Sequence, residues 1–408
     1  MKKISISTAL LLSLCLLLSA CGKTAEAAPA ASETPVAEEV PAEEALPSFE
    51  CGVKELSEYG NLVLSISPEE FDETGIVPGD VVSVTVAGVE NLMPVGTSYS
   101  DVDNGQNILR RSKEELNVAI NHGDYASTYG IAVKSNDENG NFSWAVNGGT
   151  MEELKVTITL AEKDGYRDEY LVRSLERSME RSDYESDEAF ANFRVVQTTG
   201  MGENILYRSS SPVYVKYARD SYADDCFERY GIRTVINMAS SRDEVEEFFS
   251  SDEHDSPYYK SLFESGAVKT YALGVDYRSE EFRSGLASIF RFMLESEAPY
   301  MIHCNEGMNR TGVACIALEA LMGAGFREIE DDYMLSYINF FKLDPESETY
   351  KAAVKGNFLP SLAVVVGTDD PAALESADLQ AAAESYLLSL GLTENECARL
   401  KTVLSGEA

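Results

Sequence analysis

The chain has 408 residues, 69 acidic against 33 basic, and a formal net charge of −36. That balance excludes a nucleic-acid backbone as partner, because such binding draws on clustered positive charge. The length exceeds what one ordinary hydrophobic core takes up, so two domains are expected.

The first predicted element is an export signal over residues 1–20, with Lys2 and Lys3 ahead of an apolar run over 4–18. The run is shorter than the ~20 apolar residues that a spanning helix needs. It ends Leu18-Ser19-Ala20-Cys21-Gly22, which resembles the lipobox of bacterial lipoproteins. The resemblance implies that Cys21 is lipidated and that an extracytoplasmic protein is anchored to a cell membrane through it. Residues 21–50 follow, dominated by alanine, glutamate and proline with few large apolar groups, which is the composition of a disordered acidic spacer.

Residues 51–162 are expected to form a small all-β, barrel-like domain. Short β-branched runs at 62–66, 81–86, 131–133, 142–146 and 154–160 are separated by Gly, Asn, Asp and Pro. Tyr59-Gly60-Asn61, Gly79-Asp80, Ser98-Tyr99-Ser100-Asp101 and Asn121-His122-Gly123-Asp124 in this segment resemble the C-terminal β-barrel domain of the S-adenosylmethionine hydroxide adenosyltransferases. In that family the domain helps enclose a nucleoside against an N-terminal catalytic domain, and Asn61 matches a ligand-facing asparagine. Since no counterpart of that catalytic domain accompanies the segment here, a reused structural or docking module is expected.

Residues 163–191 are charged and helix-prone and are expected to form a helical linker. From 192 to 408 a strand at 206–210, a helix at 218–230 and a strand at 234–237 alternate, which indicates an α/β domain with a parallel or mixed sheet covered by helices. Amphipathic stretches at 374–390 and 394–404 are expected to complete the helical layer.

The most specific motif of the chain lies in this domain: His303-Cys304-Asn305-Glu306-Gly307-Met308-Asn309-Arg310-Thr311-Gly312. A short apolar strand precedes it and an alanine- and leucine-rich helix follows, so the loop opens onto a helix N-terminus. There unpaired N–H groups and the positive end of the dipole receive a phosphate. The same field lowers a thiol from ~8.5 to ~3.5–7.5, which makes Cys304 a nucleophilic thiolate. Arg310 can grip two phosphoryl oxygens with its planar fork. Gly307 permits a tight turn, Thr311 can donate its hydroxyl to the departing sulfur, and His303 can anchor the loop from behind. Asn305, Glu306, Gly307, Met308, Asn309 and Arg310 together form the expected phosphate-binding loop.

This pattern resembles the signature of the cysteine-dependent protein tyrosine phosphatase superfamily. Leu206-Tyr207-Arg208-Ser209-Ser210 and Asp331-Asp332-Tyr333-Met334 resemble its bacterial tyrosine, dual-specificity and phytase-like members, so the resemblance covers roughly 192–341. It implies a phosphocysteine intermediate and a general acid on a mobile loop about thirty residues before the cysteine. Asp276, 28 residues upstream, is the expected acid, with Asp255 and Glu280 as alternatives.

A phosphotyrosine protein or peptide, or a small phosphomonoester, is the expected substrate. Met308 and Asn309 replace the Lys-Asp pair common in related bacterial sequences, and Glu306 adds a negative charge at the rim, which disfavours a highly charged inositol phosphate. A phytase-like activity is the alternative, and a catalytically dead surface-binding or adhesion lipoprotein is the alternative of another class. The cysteines lack paired metal spacing and there are three histidines, His122, His254 and His303. Neither a metal centre nor a cofactor is expected.

Overall fold

The computed structural model describes residues 46–251 and 255–407. The export signal, Cys21 and nearly all of the spacer lie outside the described residues, as does His254.

Seven strands close into a barrel: β1 (Ser48–Leu56), β2 (Leu62–Leu64), β3 (Val81–Val86), β4 (Val89–Gly96), β5 (Asn107–Arg111), β6 (Leu116–Ile120) and, after a separate hairpin of β7 (Ala132–Asn136) and β8 (Phe142–Val146), β9 (Lys155–Glu162). Their order is β1-β2-β6-β5-β4-β3-β9, with β9 pairing back to β1. Only β4 and β5 run parallel among these neighbours. Period-two alternation explains the closure. In β3 the side chains of Val82, Val84 and Val86 are buried, and in β9 those of Val156, Ile158 and Leu160, so one face of each strand fills the interior. β1 starts at Ser48, inside the stretch expected to be spacer. The runs at 131–133 and 142–146 fall at the separate hairpin, whose side chains are mostly exposed, although Ile131, Ala132, Trp144 and Val146 pack on the barrel's core.

The linker is less helical than its composition suggests. Only Arg167–Arg173 and Asp187–Phe190 form α-helix, with a 3-10 turn at Arg181–Asp183 between them, and the segment's charged side chains are paired both beyond it and within it. Arg173 pairs with Asp103 of the barrel at 2.8 Å. Arg181 pairs with Asp187 at 2.6 Å.

The second domain is built on a five-stranded mixed sheet: β10 (Arg194–Val195), β11 (Leu206–Ser209), β12 (Thr234–Asn237), β13 (Val268–Thr270) and β14 (Tyr300–His303), in the order β10-β11-β14-β12-β13. β10 is antiparallel to β11 and the other pairs are parallel. Helices cover both faces, so β11, β12 and β14 are buried on both sides. Along β14, Tyr300 and Ile302 join the core beneath helices Glu280–Leu294 and Asn309–Met322. Met301 points to the opposite core with Phe227, Tyr259 and Phe263. The C-terminal helices Leu379–Ser389 and Glu394–Ser405 add Leu387, Leu400 and Leu404 to the first of these cores, which completes the helical layer on that face. β14 is central, and the motif leaves its carboxyl end, where open α/β sheets bind ligands.

Candidate active site

The motif forms a tight loop between the end of β14 at His303 and the start of the helix at Asn309. Four carbonyls in succession are held from outside. Ser211 N–H donates to Asn305 at 3.1 Å, Asn192 Nδ2 to Glu306 at 2.9 Å, and Arg208 Nη2 to Gly307 at 3.0 Å and Met308 at 3.3 Å. A trans peptide directs its N–H opposite to its C=O, so pinning these carbonyls outward turns the N–H groups of residues 306–309 into the bowl above Cys304. Gly307 has φ +71°, and a Cβ there would lie 2.1 Å from the Ser209 carbonyl oxygen. Only glycine fits that position. A Cβ on Gly312 would lie 2.4 Å from the Tyr333 ring, so that glycine lets the tyrosine pack flat on the helix.

Cys304 is 3 % exposed. Burial by itself pushes a thiol up, yet the Arg310 guanidinium, the Thr311 hydroxyl and the N–H groups of Thr311 and Glu306 together hold Cys304 below its ordinary value. The other described cysteines go the opposite way. Burial pushes Cys51 up to about 11, Cys226 and Cys315 up to about 12, and raises Cys397. All five are free thiols. The hydroxyl of Thr311 is buried without an oxygen or nitrogen partner, which leaves it for the sulfur. Arg310 donates from Nη1 to the carbonyl of Leu273 at 2.8 Å, which ties the loop carrying Asp276 to the phosphate loop. His303 is fully buried against Phe227 and Tyr259, and its Nδ1 lies 3.4 Å from the Cys304 carbonyl. Burial pushes it down to about 3, so it stands behind the loop as a neutral ring.

A buried ionic floor lies under the loop. Asp332 accepts from Arg194 Nε at 2.9 Å and from Arg208 Nη1 at 2.5 Å, and Arg194 also reaches Ser336 Oγ at 2.9 Å. Glu319, on the helix that follows the loop, is 1 % exposed beside them. As a carboxylate it would have no partner for either oxygen. Burial and the neighbouring Asp332 charge hold its carboxyl well above the usual range, while the two arginines hold Asp332 below it against the effect of burial. Burial and the Asp332 charge thus favour the neutral acid form of Glu319. The floor carries two guanidinium charges and one carboxylate, a net of +1 directly beneath the bowl.

Asp276 is exposed at the rim, where its Oδ1 accepts from Arg278 N–H at 3.2 Å and its carbonyl from the Ser279 hydroxyl at 2.7 Å. Ser279, not Asp276, caps the following helix, and Glu280 is that helix's first residue. Asp255 leads into helix Pro257–Glu264, which packs on the other face of the sheet. Of the expected phosphate-binding side chains, Met308 is 3 % exposed and belongs to the hydrophobic core, so it offers the site its backbone and not its side chain. Asn305 and Asn309 are part-exposed. Glu306 does not act as a bare negative charge at the rim. Its Oε1 lies 2.5 Å from Arg177 Nη1, an arginine delivered by the linker.

Residues 190–406, more than half of the chain, match the tyrosine phosphatase family. The chain belongs to the tyrosine phosphatase family. Ahead of the phosphatase domain, residues 57–138 match the C-terminal domain of SAM hydroxide adenosyltransferases. That segment bears a cleft of about 740 Å³ lined by Tyr59, Asn61, Tyr99, Asn121, His122 and Asp124 among others. There Asn61 Nδ2 already donates to the Tyr99 hydroxyl at 3.1 Å.

No curated protein matches. Among solved structures, an uncharacterized conserved protein from Thermotoga maritima is 23 % identical over 28 % of this chain and 36 % of its own, with a TM-score of 0.21. The chain thus spans about a third of that protein's length. The core catalytic domain of a PP-IP phosphatase from S. cerevisiae is 18 % identical over 41 % of this chain and 98 % of its own, with a TM-score of 0.23.

In the sequence, Arg208 and Asp332 stand out only as part of the family resemblance, with no role attached, and no motif marks Asn192, Arg194, Glu319 or the linker's Arg177 as supports of the loop. One signal was available. Arg208 and Glu319 are charges set inside apolar runs, Leu206-Tyr207-Arg208 and Ala317-Leu318-Glu319-Ala320-Leu321, and a charge in such a run is buried only with a partner.

Proposed function

We propose that the protein hydrolyses phosphomonoesters through a phosphocysteine intermediate on Cys304, with phosphotyrosine in proteins or peptides as substrate. The observation that carries this reading is the loop geometry: Cys304 lies at the base of a bowl whose carbonyls at 305–308 are all held outward, turning the N–H groups of 306–309 inward, and it is held down where burial raises the other described cysteines. The thiolate attacks phosphorus while Arg310 and the N–H groups of 306–309 take the equatorial oxygens. The P–O bond breaks, and Asp276, in its acid form, gives its proton to the leaving oxygen. The resulting carboxylate then accepts a proton from the water that attacks the phosphocysteine, and the sulfur leaves as a thiolate supported by the Thr311 hydroxyl. Asp276 reaches the leaving oxygen by movement of residues 274–278 about the Leu273–Arg310 contact.

Tyr277, part-exposed on the Asp276 loop and near enough to Cys304 for its charge to help burial raise the hydroxyl, offers an aromatic face to a tyrosyl rather than an inositol substrate. The loop contains no lysine. Release of phosphate from a phosphotyrosine peptide, a phosphoserine peptide and phytate, compared side by side, tests the substrate. Tyrosine turnover at least tenfold above the others is expected, and faster release from phytate would overturn it. The lipidated anchor at Cys21 is part of the same proposal: Cys21→Ala should abolish labelling by a radioactive fatty acid in cells, and retained labelling would refute it.

A further inference from the structure

Arg177 lies in the irregular stretch after helix Arg167–Arg173, and its position is fixed from several sides. The carbonyl of the next residue, Ser178, accepts from Arg219 Nη2 and from the Tyr184 hydroxyl, each at 3.3 Å. The Arg177 guanidinium carbon sits 4.4 Å from the centre of the Tyr217 ring, 5.1 Å from that of Phe340 and 5.0 Å from that of Phe341. From this aromatic box Nη1 reaches Glu306 Oε1 at 2.5 Å. Glu306 is held a second time through its carbonyl by Asn192 Nδ2 at 2.9 Å. Its N–H is one of the donors to the Cys304 sulfur.

We propose that Arg177 is a positioning residue of the phosphate loop, supplied from outside the phosphatase domain's own sheet and helices: by pairing with Glu306 it fixes the N–H that serves the sulfur and cancels the negative charge that Glu306 brings to the rim. The pair differs from an ordinary surface ion pair in two ways. Its side chains are only 25 % and 21 % exposed, and the arginine has already lost its rotamer freedom to the aromatic box, so little ordering entropy opposes the contact. Without Arg177, an uncompensated carboxylate two residues from Cys304 would work against the thiolate. The proposal rests on Cys304 being the nucleophile.

The charged and titratable groups that bear on the pair are known. Tyr217, Tyr337 and Arg219 sense Glu306. Arg310, Tyr277, Tyr333 and neutral His303 surround Cys304.

The test is the pH profile of iodoacetamide alkylation at Cys304, read by mass spectrometry on the full chain. Arg177→Met keeps the apolar packing and removes the charge, and its alkylation midpoint should rise by about half a pH unit or more. Arg177→Lys should restore most of the wild-type midpoint. Glu306→Gln should move the midpoint down, and carries the test alone if Arg177→Met does not fold. A wild-type midpoint in folded Arg177→Met, or an upward shift in Glu306→Gln, would overturn the proposal. A wild-type Cys304 no more reactive at neutral pH than Cys226 or Cys315 would instead overturn the thiolate reading beneath it.

Discussion

The floor and the rim of the phosphate loop are built on opposite principles. Beneath the loop, Arg208, Glu319 and His303 are buried, and the side chains of Arg194 and Asp332 are only 9 % exposed, with Asp332 in direct contact with both arginines. Above it, Asp276 and residues 274 and 275 are exposed, while the Leu273 carbonyl accepts from Arg310, Tyr277 packs on Phe282 and Arg278 pairs with Asp369. The floor therefore couples catalysis to folding, because its charges are tolerable only while all partners are present. Asp276 is exposed and lies outside that network, and the proposed two-step transfer calls for a fixed anion cradle and an acid that moves.

Variants should sort accordingly. Asp332→Asn strands Arg194 and Arg208 without their carboxylate, and urea unfolding should show a loss of about 3–5 kcal/mol, with activity falling in parallel. A loss below about 1 kcal/mol would mean that the floor is not an ionic support. Asp276→Ala, by contrast, should leave the unfolding midpoint unchanged while slowing hydrolysis of an alkyl phosphate by roughly 10²–10⁴-fold, and an aryl phosphate with a good leaving group much less. Equal slowing of both, or a stability loss, would erase the distinction between rim and floor.

The floor also sets a pH dependence. His303 ionises at about 3 in the folded chain and at ~6.5 when unfolded. The folded value is depressed, so its stabilising contribution is complete above ~6.5 and is lost as pH falls towards 3, at up to ~1.4 kcal/mol per pH unit. Comparing His303→Asn with wild type between pH 6.5 and 5 should show a flatter stability curve in the variant; parallel curves would mean that the ring is not buried as a neutral group. The smallest effect is expected at Glu319→Gln. Because burial and the Asp332 charge favour the neutral form of Glu319, the amide should replace it within about 1 kcal/mol. A cost as large as that of Asp332→Asn would mean that Glu319 is ionised.

The same division decides what the sequence disclosed. Cys304, Gly307, Arg310 and Thr311 were legible because the whole motif lies within ten residues, where strand, turn and helix signals reinforce one another. The barrel was legible through the short β-branched runs, such as 81–86 and 154–160, separated by Gly, Asn, Asp and Pro. The floor was not, since Arg208 meets Asp332 across 124 residues and Arg177 meets Glu306 across 129, and no local pattern records such a contact. The linker misled for a related reason. Its charges suit a helix, but Arg177, beyond the helix that ends at Arg173, is taken up by Glu306 instead, and there tertiary pairing overrode local propensity. The separate hairpin shows the same limit, because such a run predicts a strand and not the sheet it joins.

Hydrolysis of p-nitrophenyl phosphate by wild type and by Cys304→Ser, measured together with vanadate or phosphate binding, tests the central claim most directly. Wild type should turn over, while the serine variant should show no turnover above background yet retain oxyanion binding, because Arg310 and the converging N–H groups are untouched. Undiminished hydrolysis by Cys304→Ser would contradict a phosphocysteine mechanism in this chain.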